Sequence, residues 1–166
     1  MEDKNREYLA YIKNHKENVV RAWDMIVEKL PNEIFVQDIA LKNRISERVL
    51  LHDNSKYSDD EFGAYRQYFY PSSGETKNRE VFLIGWNHHF HNNDHHWEFW
   101  LDSKGNPLQR GEKTTETLIE MLCDWIAMIH VFGGDLLVYY TENKHKIKLL
   151  PEDHEFLRSI IGKLSA

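Results

Sequence analysis

Ile45-Ser46-Glu47-Arg48-Val49-Leu50-Leu51-His52-Asp53-Asn54-Ser55-Lys56 is the stretch on which the reading of this chain turns. An apolar run, Val49 to Leu51, delivers a histidine and an aspartate side by side. The periodic segment that holds it, roughly residues 36 to 53, carries Ile39, Ile45, Val49 and then His52 toward the core, and its regularity fails near Asn54. The His-Asp pair is therefore expected at a helix end. There the ~100° that separates adjacent side chains on a regular helix is relaxed.

Two further segments, one on either side, supply groups of the same chemistry. Upstream, Tyr8, Ile12, His15, Val19, Trp23, Ile26 and Leu30 recur at three- and four-residue steps over about residues 5 to 30, which predicts one helical face with His15 inside the apolar stripe. Downstream, Met121, Asp124, Met128 and Phe132 share one side of a helix ended by Gly133-Gly134. Three separated segments thus each send a metal-type ligand toward the interior. Neutral imidazole and carboxylate suit divalent ions, which need ligands converging from different elements.

The rest of the chain also reads as helix. Ser58 and Glu61 have capping-box spacing and open a short helix through Phe62, Tyr65 and Phe69 that stops at Pro71. From about residue 78, Phe82, Trp86 and His89 share a face, and Asn92-Asn93-Asp94 turns into His95-His96-Trp97-Glu98-Phe99-Trp100. A loop spans residues 103 to 113, and Thr117 with Glu120 offers a second capping box. Leu136 to Tyr140 and a segment opened by Pro151 form a closing pair of helices. No repeat and no β alternation is present. The expected fold is all-α, a bundle of about six to eight helices forming a single domain over residues 1–166.

Composition excludes some function classes. The chain is 41% hydrophobic and 13% aromatic, with a formal charge of -6, so a broad electrostatic grip on a nucleic-acid backbone is not expected. Small anionic substrates stay open, because bound divalent cations reverse the sign locally. A single cysteine, Cys123, excludes an internal disulfide and reads as a small buried hydrophobe. The charged N-terminus, followed by no long apolar segment, predicts a cytoplasmic protein without a membrane span. A homodimer is compatible with the aromatic content, as is a filled core.

The order His15, His52-Asp53, Asp124, with Lys56 close behind the pair, resembles the HD-domain superfamily, an all-helical group of metal-dependent enzymes, chiefly phosphohydrolases. The resemblance covers roughly residues 8 to 132. More narrowly, His52-Asp53-Asn54-Ser55-Lys56, Trp86-Asn87-His88-His89 and His95-His96-Trp97-Glu98-Phe99-Trp100 are similar to a short bacterial and phage family of that superfamily, which names relatives without naming a substrate. The resemblance implies an HD-like bundle with His15, His52, Asp53 and Asp124 holding one or two divalent ions, the metal being Fe, Mn, Zn, Ni, Co or Mg. Some branches add two histidines, for which His89 and His96 are the candidates here, although they stand closer together than is usual there. The glutamate that follows the pair in the nucleotidase branch is absent.

The implied activity is hydrolysis of a phosphoester, nucleotides included, by metal-activated water. Asp53 would bridge two ions, Lys56 would steady the phosphate, and a histidine of the 88 to 96 stretch, such as His89, would protonate the leaving group. Two other readings use the same residues: a di-iron centre that activates oxygen, and a metal-stabilised binding protein without turnover.

Each residue also has a plainer reading. His15 alone would be a hydrogen-bonded core histidine, and Asp124 alone the partner of a buried cation. Lys56 serves equally as a salt-bridge partner. Not all five histidines between residues 88 and 96 can bind one ion, so some take outer or surface roles. The aromatic residues Trp86, Trp97, Phe99 and Trp100 read as core or pocket wall, since no basic residues interleave with them as a base-stacking platform requires.

Overall fold

A computed structural model describes residues 3–166. Among these the chain is all-α, with eight α-helices and one isolated bridge, Leu101 to Pro107. Helix α1 (Lys4–Lys29) starts at Asp3, whose carboxylate accepts from the Arg6 N–H at 3.3 Å, and stops before Pro31, which disfavours helical backbone at Leu30. Every apolar residue of its expected stripe is buried, and so is His15.

The expected second helix is two: α2 (Ile34–Gln37) and α3 (Ile39–Leu51). Asp38 separates them in extended backbone, and its side chain caps α3 by accepting from the Leu41 N–H at 3.0 Å. Consequently Ile39 falls in the first turn of α3 and is 74% exposed rather than part of the core, while Ile45 and Val49 are buried as expected. Leu50 and Leu51 also face solvent, so only Val49 of the apolar run reaches the interior.

Helices α4 (Asp59–Phe69) and α5 (Arg79–Asn92) lie against each other. Their contact is close because Gly85 has no side chain: a Cβ there would fall 2.8 Å from the Cβ of Ala64. Asn78 caps α5 by accepting from the Glu80 and Val81 N–H groups at 3.0 and 3.1 Å. After α5 the chain runs through the His95-His96 segment and a short 3-10 turn, Trp97–Trp100.

Helix α6 (Thr114–Phe132) begins three residues before the expected capping box, so Thr117 and Glu120 lie inside it, and Gly133 at φ 79° ends it. Helices α7 (Leu136–Asn143) and α8 (Pro151–Leu164) close the chain. No single helix among the described residues is long and apolar enough to cross a membrane.

Two apolar clusters organise these helices. In the larger, Val19, Trp23 and Ile26 of α1 meet Ile45 and Val49 of α3, Leu118 and Leu122 of α6, and Leu157 and Ile161 of α8. Cys123 belongs to it as a fully buried apolar residue. In the smaller, Tyr8 and Ile12 of α1 meet Tyr65 of α4, with Phe82 and Trp86 of α5 packed alongside. Each buried Ile or Leu contributes roughly 1.5–3 kcal/mol relative to exposure. His15 stands on α1 between Ile12 of the small cluster and Val19 of the large one. The polar centre therefore forms at the seam between two dry regions.

Candidate metal centre

Helix α3 ends at Leu51, and the next two residues leave helical geometry in opposite senses. His52 is at φ -45°, ψ 134°, and Asp53 at φ 56°, ψ 21°, the one non-glycine residue with positive φ among the described residues. Left-handed backbone costs an L-residue roughly 1–2 kcal/mol, with Asp among the most tolerant types. This reversal turns His52 and Asp53, which a continued helix would splay, toward one centre.

On one side of that centre His15 Nε2 lies 3.4 Å from His52 Nε2 and 3.2 Å from Asp124 Oδ1, and Asp53 Oδ2 is 3.5 Å from each imidazole. These are the four residues expected from three separate helices, and the fold brings them together. On the other side Asp53 Oδ1 lies 3.2 Å from His89 Nε2 and 3.5 Å from His95 Nε2, with His96 completing the group. Within each group, His15-His52-Asp124 and Asp53-His89-His95-His96, the candidate ligand atoms lie within 4.8 Å of one another, a spacing that an ion at ligand distances of about 2.0–2.2 Å can span. Among the described residues, Asp53 Oδ1, His95 Nε2 and His96 Nε2 are buried and make no hydrogen bond. Three such unsatisfied atoms facing one point are what a cation would satisfy. The buried His/Asp cluster can hold a metal.

Three of these imidazoles, those of His52, His95 and His89, are held at Nδ1 by carboxylates, whereas His15 Nδ1 is buried without a partner among the described residues. Glu120 Oε1 is 2.9 Å from His52 Nδ1 and 3.1 Å from His95 Nδ1, so one oxygen serves one imidazole of each group. Its Oε2 lies 2.8 Å from an Arg48 amine, and Arg48 also binds Asp94 beside His95. Glu61 Oε2 is 2.7 Å from His89 Nδ1, and its Oε1 is 2.8 Å from His88 Nδ1. Carboxylates that accept from Nδ1–H leave each Nε2 lone pair directed inward. His52 and His95 with Glu120 also form a compact triple, but its short Nδ1–carboxylate distances are those of hydrogen bonds.

Electrostatics follow this arrangement. Burial opposes the charged form of Asp53, but His52, Lys56 and His89 hold its carboxyl well below the usual range. Burial is likewise outweighed at Glu120 by hydrogen bonds from His52 and His95, and at Asp124 chiefly by the bond from His15. Burial, reinforced by His95 and His89, pushes His96 well below the ordinary imidazole value, which keeps it a neutral donor. Lys56 Nζ sits 2.6 Å from Asp53 Oδ2 and over the Tyr65 ring. It is an ion-pair partner at the edge of the site.

Sequence reasoning passed over Glu61 and Glu120, reading both as capping-box members. Ser58 does occupy the N-cap of α4, yet its side chain makes no capping bond, and Glu61 is fully buried against the histidines. The family resemblance points to His96 and not to its neighbour His95, but the loop brings both imidazoles to the same side. The signal that could have found the glutamates is an acidic residue on an otherwise apolar helical face near a histidine-rich segment. His91, by contrast, bonds the Asn87 carbonyl on the exposed side of α5.

The model of DUF5662, a family of unknown function, matches residues 4–163. The chain belongs to DUF5662. No curated protein and no solved structure matches it. In this DUF5662 chain two hollows flank the ligand cluster. One, of about 480 Å³, reaches His15, Asp53, Lys56, His89, His96 and Asp124. The other, of about 460 Å³, reaches His96 and Asp124 from the side of Trp97, Glu98 and Trp125. Trp86, Met128 and Phe132 border both.

Proposed function

We propose that this protein is a metal-dependent phosphohydrolase of the HD type, acting on a small phosphoester. The observation that carries the reading is the placement of Asp53, one oxygen toward His15 and His52 and the other toward His89 and His95. A carboxylate so placed suits a bridge between two ions. Bound ions supply a water of lowered pKa and offset charge on phosphoryl oxygens. Three imidazoles on the His89 side favour borderline ions such as Zn, Fe, Co or Ni, and to a lesser degree Mn, over magnesium, which prefers oxygen.

The chain's own residues have distinct parts in this reading. Glu120 and Glu61 fix the orientation of the imidazoles, and Lys56 both balances Asp53 and faces the 480 Å³ hollow, where it can meet a phosphoryl oxygen. His89 has Nδ1 on Glu61 and Nε2 toward Asp53, which suits a ligand better than a proton donor.

Protein loaded with manganese or zinc is expected to release phosphate from at least one member of a nucleotide, monoester and phosphodiester panel. That release is expected to vanish in His52→Ala and Asp53→Asn with helical circular dichroism retained. Silence across the panel with every metal would sink the proposal. The aromatic wall of the same hollow also suits an uncharged substrate, which favours, as a second reading, oxygen activation at an iron pair. Anaerobic Fe(II) loading separates the two, because the iron-pair reading expects turnover that consumes oxygen and yields an oxidised product, whereas the hydrolase reading expects phosphate release that continues without oxygen.

A further inference from the structure

The 480 Å³ hollow has a divided lining. The metal-ligand candidates form its floor, and Tyr8, Tyr65, Phe69, Tyr70, Phe82 and Trp86 form much of its wall. Among the described residues Lys56 is the one basic side chain on this lining other than the floor histidines, no arginine reaches it, and the Lys56 charge is already matched by Asp53 at 2.6 Å. Any anionic group beyond the one that meets the floor would lie against aromatic rings without a partner, which is costly in a partly desolvated site. The wall is not purely apolar, however. The hydroxyl oxygens of Tyr8 and Tyr65 are buried and make no hydrogen bond, in residues only 1% and 6% exposed. They are neutral hydroxyls without a partner in residues that line the hollow, and so suit a ligand oxygen rather than a charge.

Resting on the phosphohydrolase reading, we infer that this hollow receives a phosphate monoester with a single phosphoryl group on the floor and an uncharged, ring-bearing alcohol against the tyrosine and phenylalanine wall. Nucleoside di- and triphosphates are disfavoured, because beyond the floor and Lys56 the wall offers no cation for further phosphoryl groups. The ring is recognised by aromatic contact, and its oxygen substituents by Tyr8 and Tyr65. Phe69, 53% exposed, and Phe132, 70% exposed, stand on the rim outside the buried members of both apolar clusters, Phe69 with its ring edge-on to Phe82.

Phenylphosphonate and methylphosphonate present the same anion with and without a ring and are not hydrolysed. Calorimetric titration of the manganese-loaded protein, at buffered free manganese, should show phenylphosphonate binding about tenfold or more tighter than methylphosphonate. Most of that ratio should disappear in Phe69→Ala/Phe132→Ala, and ATP should bind more weakly than phenylphosphonate. Equal binding of the two phosphonates, absence of binding by both, or tighter binding of ATP would overturn the inference. A phenylphosphonate preference without phosphate release from phenyl phosphate upholds the assignment of the hollow and removes the hydrolase reading. Release from ATP in preference to phenyl phosphate does the reverse.

Discussion

The two halves of the ligand cluster are built differently. His15, His52 and Asp124 come from α1, the end of α3 and α6, three helices locked together by the larger apolar cluster. His89, His95 and His96 come from α5 and the segment after it, where Asp94 is tied down from outside by Arg48 and by the Trp100 indole, 2.7 Å from its carbonyl. Packing of long helices dominates the first half, whereas the His95-His96 part of the second rests on polar tethers. Density in a packed helical core leaves little freedom, whereas a tethered segment keeps as much order as its few bonds supply.

The change that should disturb both halves at once is Asp53→Asn. Asparagine accepts left-handed backbone as readily as aspartate, so the swap removes charge and bridging capacity without backbone strain. On the two-ion reading, loss of both, by elemental analysis, is expected to exceed the roughly 10–100-fold drop that an outer partner causes. Retention of one full equivalent would show that the halves bind independently. Next in size, Leu122→Ala in the packed half should cost about 2–5 kcal/mol in urea unfolding of the metal-free protein. A cost below ~1 kcal/mol would remove packing as the source of order there.

Glu120→Gln should lower metal affinity about 10–100-fold at both positions, since one oxygen holds an imidazole of each, while Glu61→Gln should do so only at the position of His89. Equal effects of Glu61→Gln on both positions would erase the distinction. The smallest effect is kinetic: chelation should speed amide exchange through residues 93–101 more than in the buried middle of α1 and α6. Uniform acceleration would mean that the tethered segment is no looser than the core.

The packed half was also the legible one. Tyr8 to Leu30 announces α1 because the apolar period survives burial on one face, and His15 inherits its position from that period. Asp124 follows from α6 in the same way. Legibility fails where polar groups replace packing. Glu61 and Glu120 share sequence spacing with helix caps, and only tertiary placement separates a cap from a carboxylate that holds an imidazole. His95 and His96 lie outside any helix, so no period says where their rings point. Ile39 misled for the opposite reason: apolar residues are common on surfaces, and Asp38 restarts the helix in a new phase.

Gly85 ties these two styles of construction together. Because α4 and α5 touch almost backbone to backbone at that point, Glu61 on one helix and His89 on the other, a single turn beyond the glycine, come within reach of a direct bond. The crossing works as a caliper. Neighbouring positions on the outer faces are free to drift, but a single added methyl at residue 85 would open the jaws and detune an imidazole it never touches.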